Sequence, residues 1–114
     1  MNIKIIDTPI SRHDLSKYMM EVLGDFVKIV VDIEKQIMAI GGEMHADEET
    51  VLLAHGSAQK DLWGCNIYPD REKDEWLEYS SLINIRPSVG NRSMEIHDEH
   101  IRAKVAEVVN RFVQ

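Results

Sequence analysis

Two adjoining runs of β-forming residues, 26–33 and 37–40, constrain the fold more than any other part of this chain. The first run is rich in β-branched side chains, and its alternate residues are apolar and fall on one face of a strand. The second run is apolar, follows a polar turn at 34–36 and ends at two glycines, 41–42. The pattern predicts an antiparallel β-hairpin.

Shorter periodic segments flank the hairpin on both sides. Ser11 is a good N-cap for a helix, with Asp14 at capping-box spacing, and Gly24 supplies its end. Asp98 is a fair N-cap for a helix whose apolar residues recur at helical spacing up to Phe112. The further predicted elements are strands at 3–6, 63–68 and 76–85, and helices at 11–23, at 46–54 and from 98 onward.

The predicted order β-α-β-β-α-β-β-α is typical of the α+β class. We expect a mainly antiparallel sheet of about four to five strands with three helices, in one compact domain spanning residues 1–114. The helices should lie on one side of the sheet, and the other side should face water or a second copy. In the segment 76–85, alternate residues from Leu77 to Ile85 should face the core.

The net charge and the single cysteine argue against a nucleic-acid-binding protein and against a disulfide-bonded, exported protein. The formal net charge of −7 disfavours binding to nucleic-acid phosphates. Cys65 is the only cysteine, and a lone thiol is typical of a reducing, cytoplasmic location. Its apolar neighbours favour a buried, inert thiol over a catalytic nucleophile. We expect no membrane segment, because no apolar run is long enough to span a bilayer and no signal-peptide region is visible.

The segment 41–49 has the residue types of a catalytic or metal site. Glu43 and His45 are candidate acid–base residues, and Asp47 joins them as a candidate metal ligand. The spacing lacks the His-Glu-x-x-His pattern, and acids are favoured in the first turn of any helix, which weighs against a metal. The sequence indicates no cofactor, since no dinucleotide fingerprint is present.

The segment 84–93 has the residue types of an anion-binding loop. Arginine offers a planar fork that matches carboxylate or phosphate, and loop N–H groups can add donors. The alternative is a structured turn in which Arg86 pairs with an acid. The candidate ligand-binding residues are Asn84, Arg86, Ser88, Asn91 and Arg92.

The segments 41–49 and 84–93 each follow a predicted strand, so they could meet in space. In that case Glu43 and His45 would supply acid–base groups beside a clamp formed by Arg86 and Arg92. The same geometry allows an ion pair between Glu43 and Arg86 with a purely structural role. The residues alone leave both interpretations open.

Several stretches of the chain resemble a family of small prokaryotic proteins of unknown function, found in bacteria including cyanobacteria and in some archaea. The resemblance covers nearly the whole chain and rests on the segments 30–35, 41–49, 62–69, 83–88 and 90–93. It implies one compact cytosolic domain. It names no activity, cofactor or substrate.

Two hypotheses about function follow. The first is a binding or interaction domain that self-associates into a homo-oligomer through its sheet face or a helix, with burial of Leu82 and Tyr68 between copies as its signature. The second is a small enzyme or ligand-binding protein that acts on a small anionic metabolite through the Glu43, His45 and Arg/Asn residues named above.

Overall fold

The computed structural model describes residues 2–19 and 25–114. In these residues the order of elements is that predicted, and the α+β class is confirmed. The strands are β1 (Lys4–Ile6), β2 (Val27–Asp32), β3 (Ile37–Ile40), β4 (Leu62–Ile67) and β5 (Leu77–Glu78), and the helices are α1 (Arg12–Ser16), α2 (His45–Ala54) and α3 (Glu99–Phe112). None of the helices in the described ranges has the length and apolar character needed to cross a membrane.

The five strands form one sheet in the order β1-β3-β2-β4-β5, and every neighbouring pair is antiparallel. The predicted hairpin forms its centre, with Ile29 opposite Ile40. Buried Asp32 shapes the hairpin turn, because its Oδ1 accepts hydrogen bonds from the N–H groups of Glu34 and Lys35, both at 2.9 Å.

One face of the sheet packs against α1 and α3. The predicted caps of both helices are present: Ser11 accepts a hydrogen bond from the Asp14 N–H, and Asp98 accepts from the first turn of α3. The prediction that this first helix runs to residue 23 is wrong in the described part of the chain, where α1 ends at Ser16, and the predicted end at Gly24 lies outside the described residues. The buried side chains of this core are Ile6, Leu15, Val27, Ile29, Val31, Met38, Ile40, Trp63, Cys65, Ile67, Trp76, Ile96, Val105, Val108, Val109, Phe112 and Val113.

The other face of the sheet is covered in part by α2, so the prediction that all helices lie on one side is wrong. Leu52 of α2 packs with Val30, Ala39 and Leu62, which point away from the main core. Strand alternation makes the reason clear: β2 and β3 carry apolar residues on both faces, and an apolar residue on the second face needs a cover of its own.

The prediction of a strand at 76–85 is also wrong beyond its first residues. β5 has only two residues, and the chain then leaves the sheet through short 3₁₀ turns at Leu82–Asn84 and Pro87–Val89. The expected core-facing alternation therefore fails: Leu77 packs on the main core, whereas Ile85 is exposed.

A side chain takes the place of the missing strand along the edge of β4. The Oδ1 of Asn84 accepts a hydrogen bond from the Gly64 N–H, and its Nδ2 donates to the Gly64 carbonyl, both at 2.9 Å. The amide reproduces the pair of bonds that a neighbouring strand would make. Gly64 permits this approach, because a Cβ there would lie 2.6 Å from the Cβ of Ser81.

Candidate functional site

A cleft of about 340 Å³ opens where α2 leaves the second face of the sheet uncovered. Its walls are the first turn of α2 on one side and the loop after β5 on the other. We call it the α2 cleft; it is lined by Lys28, Met44, His45, Ala46, Asn66, Glu78, Ser80, Ser81, Leu82, Ile83 and Met94. A second cleft, of about 320 Å³ between β1 and α1, has polar side chains that are all exposed or half-buried.

The floor of the α2 cleft is a row of three polar residues on three adjacent strands. Lys28 of β2 lies opposite Asn66 of β4, which lies opposite Glu78 of β5. Asn66 is only 8% exposed, and its Nδ2 donates to a Glu78 carboxylate oxygen at 2.8 Å. Since a carboxylate only accepts, this bond fixes the orientation of the amide. The Oδ1 of Asn66 is buried and has no partner in the described part of the chain.

His45, the first residue of α2, forms one wall of the cleft and is buried. Its Nε2 lies 2.8 Å from the carbonyl oxygen of Cys65, so Nε2 carries the proton and donates it. Burial lowers the pKa of His45, with the charge of Lys28 acting in the same direction, whereas the hydrogen bond to the Cys65 carbonyl and the side chain of Asn66 beside the ring oppose it. The imidazole is therefore neutral at neutral pH, with Nδ1 as its acceptor.

A neutral carboxylic acid lies behind this wall. Glu48 is fully buried, its Oε2 accepts a hydrogen bond from the Gly42 N–H at 3.0 Å, and its Oε1 has no partner among the described residues. Burial raises the pKa of Glu48 from its ordinary value of 4.5 to about 9. Burial also raises the pKa of the Cys65 thiol strongly, and the prediction that this thiol is buried is confirmed.

Three apolar side chains surround the mouth of the cleft. Leu82 is 64% exposed, Met44 is 54% exposed and Met94 is 42% exposed. Apolar side chains of this size are usually buried, so three at one opening are a distinctive feature of the surface. The arrangement of a polar floor below an apolar rim can hold a small amphipathic molecule.

The predicted catalytic and metal candidates are dispersed. His45 lines the α2 cleft, whereas Glu43 is exposed and forms no described hydrogen bond or ion pair, and Asp47 is half-buried on α2. Within residues 2–19 and 25–114, no three His, Cys, Asp or Glu side chains come together as metal ligands would. The structure therefore brings one of these three candidates to the cleft.

The segments 41–49 and 84–93 do meet, although through a different acid from the one considered. Arg86 is buried and its Nη2 lies 3.1 Å from a carboxylate oxygen of Glu49, not Glu43. Its guanidinium carbon lies 5.1 Å from the ring centroid of Trp63. These contacts match the structured-turn interpretation of Arg86.

The two asparagines of the predicted anion loop bind the backbone. The Nδ2 of Asn91 lies 2.7 Å from the carbonyl oxygen of Asn84, and its Oδ1 accepts a hydrogen bond from the His97 N–H at 3.1 Å. Ser88 and Arg92 are exposed on the same loop. The amide groups that suggested a ligand thus satisfy the polar backbone of a loop without regular structure.

The sequence interpretation missed the row of Lys28, Asn66 and Glu78, and it treated Glu48 as one of several acids in the first turn of a helix without predicting its burial. The alternation of each strand does place the three row residues on one face. Only the pairing of β2 with β4 and of β4 with β5 brings them side by side, and no local pattern encodes that order.

Comparison with known proteins identifies a family whose function is unknown. No curated protein and no solved structure matches the chain. The model of the family described as "Protein of unknown function (DUF5674)" matches residues 4–112, so the chain belongs to that family.

Proposed function

We propose that the protein is a binding protein that holds a small amphipathic molecule in the α2 cleft. The observation that carries this proposal is the make-up of the α2 cleft, in which the polar row of Lys28, Asn66 and Glu78 lies below an apolar rim of Met44, Leu82 and Met94.

The size and chemistry of the cleft support the same proposal. Its volume of about 340 Å³ falls in the range of small-molecule sites. Such sites combine apolar walls with a few placed polar groups, as here. The Arg/Asn loop is a weaker location for the ligand, because the Nη2 of Arg86 pairs with Glu49, its unpartnered Nη1 is buried out of contact with solvent, and both asparagines bind the backbone.

A fragment screen by ¹⁵N–¹H NMR tests the proposal. Fragments that bind should shift the amide signals of residues 44–46, 66 and 80–83 together. Ala46→Trp would fill the cleft from its wall, and it should abolish these shifts. Ala103→Trp, on the exposed face of α3, is the matched control and should leave them intact. Binding that survives Ala46→Trp unchanged would refute the cleft as the site.

Self-association is a second candidate, favoured by the three exposed apolar side chains at the cleft mouth. Two copies that pair through Leu82, Met44 and Met94 would remove this apolar surface from water. Sedimentation of the wild type should then show a dimer that Leu82→Glu converts to a monomer. A wild type that stays monomeric at millimolar concentration would exclude this candidate.

We also propose a prokaryotic source and a cytoplasmic location. The family resemblance noted in the sequence supports the source. The fully buried, unbridged Cys65 supports a reducing compartment.

A further inference from the structure

We propose that two copies of this protein form a symmetric dimer in which Lys28 of each copy pairs with Glu78 of the other across the mouths of the two α2 clefts. This inference rests on self-association, the second candidate function above, and specifies how the two copies are oriented. It follows from the way in which charged and apolar side chains are divided between the two walls of the cleft.

Exposed apolar surface is concentrated around the α2 cleft. Within residues 2–19 and 25–114, large apolar side chains are exposed only at α2 and in the loop after β5, and none is exposed on α1 or α3. Apolar surface gathered in this way marks an interaction site. A second copy brings the same surface to the contact, so that pairing removes both from water. The exposed side chains are Met44, Leu53, Leu82, Ile85, Val89 and Met94.

Each wall of the cleft carries one charge and part of the apolar rim. The α2 wall packs over β2 and β3, so Met44 lies on the same side of the cleft as Lys28 of β2. The opposite wall is the loop after β5, which follows Glu78 and carries Leu82 and Met94. The cleft therefore has a positive half and a negative half, and both halves have apolar side chains at the mouth.

A two-fold axis that lies between the copies, parallel to the strands, matches these halves. It sets the positive half of one copy against the negative half of the other, and the contact occurs twice because such an interface is isologous. Lys28 then meets Glu78, and Met44 meets Leu82 and Met94. An axis along the floor row would instead place like charges together, which costs free energy and disfavours that arrangement.

Neither charge of the row has an ionic partner within its own copy. Lys28 and Glu78 lie two strands apart, about 10 Å between backbones, with Asn66 between them. Both are absent from the ion pairs formed among the described residues. The exposed Glu78 carboxylate accepts from Asn66 at 2.8 Å and keeps further acceptor capacity. A lysine from a second copy supplies the charge that this carboxylate lacks.

Charge reversal tests the inference by sedimentation velocity, from micromolar to millimolar concentration. The wild type should dimerise. Lys28→Glu and Glu78→Lys should each weaken the dimer at least about tenfold, because each creates two like-charge contacts across the axis. An equal mixture of the two variants should dimerise like the wild type, because both contacts of the mixed dimer again join opposite charges. Two folded variants that stay monomeric when mixed would overturn the inference.

Matched controls reverse exposed charges on α3. Lys104→Glu and Glu99→Lys should dimerise like the wild type, and circular dichroism checks that every variant is folded. If a reversal unfolds the chain, Lys28→Gln and Glu78→Gln take its place. Each neutral variant should then weaken the dimer, and the double variant should weaken it no further, because both changes remove the same pair. Losses that add would overturn the inference.

The outcomes also separate this inference from the proposed functions. A wild-type dimer that neither charge reversal weakens would overturn the inference and leave self-association standing. A wild type that stays monomeric at millimolar concentration would exclude both, and the fragment screen would still decide whether the cleft binds a small molecule.

Discussion

Replacing the buried acid Glu48 with glutamine should stabilise the protein at neutral pH. The wild-type side chain is fully buried, and its pKa is raised from 4.5 to about 9. Between these two values the folded state keeps a proton that the unfolded chain releases. The contribution of Glu48 to stability therefore falls as the pH rises from 4.5 toward 9. Glu48→Gln keeps the oxygen that accepts from the Gly42 N–H and removes the ionisation.

The size of the effect follows from the pKa. At pH 7, about 2.5 units above the ordinary value, the unfolded wild type gains about 3 kcal/mol from ionising Glu48. The free energy of unfolding of Glu48→Gln should exceed that of the wild type by about this amount at pH 7. The difference should shrink toward zero at pH 4.5 and grow to about 6 kcal/mol at pH 9.

Urea denaturation at half-unit steps from pH 4.5 to 9 measures this difference directly. Glu99→Gln removes an exposed acid from α3 and serves as the matched control, with no pH-dependent gap expected. A gap between Glu48→Gln and the wild type that stays constant across the pH range would refute the reasoning. It would mean that Glu48 is ionised in the folded state.

Three further predictions concern stability and are checked by the same denaturation experiment. Asn84→Ala should cost about 3 kcal/mol, because it leaves the Gly64 N–H and carbonyl unpaired; a loss below about 1 kcal/mol would show that the amide is dispensable. Gly42→Ala should cost about 1–3 kcal/mol, because the new Cβ would lie 2.7 Å from the Cγ of Glu48. An unchanged midpoint would contradict that clash. The folded pKa of His45 lies below its ordinary value of 6.5, so the contribution of His45 to stability should fall as the pH drops below 6.5, where the unfolded chain gains the proton first, in opposition to the contribution of Glu48. The free energy of unfolding of His45→Gln should therefore rise relative to that of the wild type as the pH drops below 6.5, and a difference that is independent of pH would contradict the lowered pKa.

Local sequence signals were sufficient for elements that depend on near neighbours. The hairpin at 26–40 follows from residue alternation and a polar turn, and the structure places its strands within a residue or so of the predicted ends. Asp98 was recognisable as a helix cap because capping involves only the next three residues. Elements of this kind need no knowledge of the rest of the fold.

Local sequence patterns gave wrong predictions where a residue far away in the sequence decides the local structure. The alternation after Leu77 resembles a strand, but the side chain of Asn84 occupies the edge of β4 that such a strand would need. Glu49 is the partner of Arg86 because it lies on α2, which packs near the loop, whereas Glu43 precedes the helix and is exposed. The floor of the α2 cleft depends on strand order, which is a property of the whole sheet.

The side chain that closes the edge of β4 also bears on how copies of this protein behave when crowded. An open strand edge offers unpaired N–H and carbonyl groups to any other chain, and it is a common starting point for aggregation. At Gly64 those groups are already occupied by Asn84, which cannot extend the sheet any further as a true strand would. One amide thus ends the sheet at this position and denies a neighbouring molecule a template for intermolecular strand pairing.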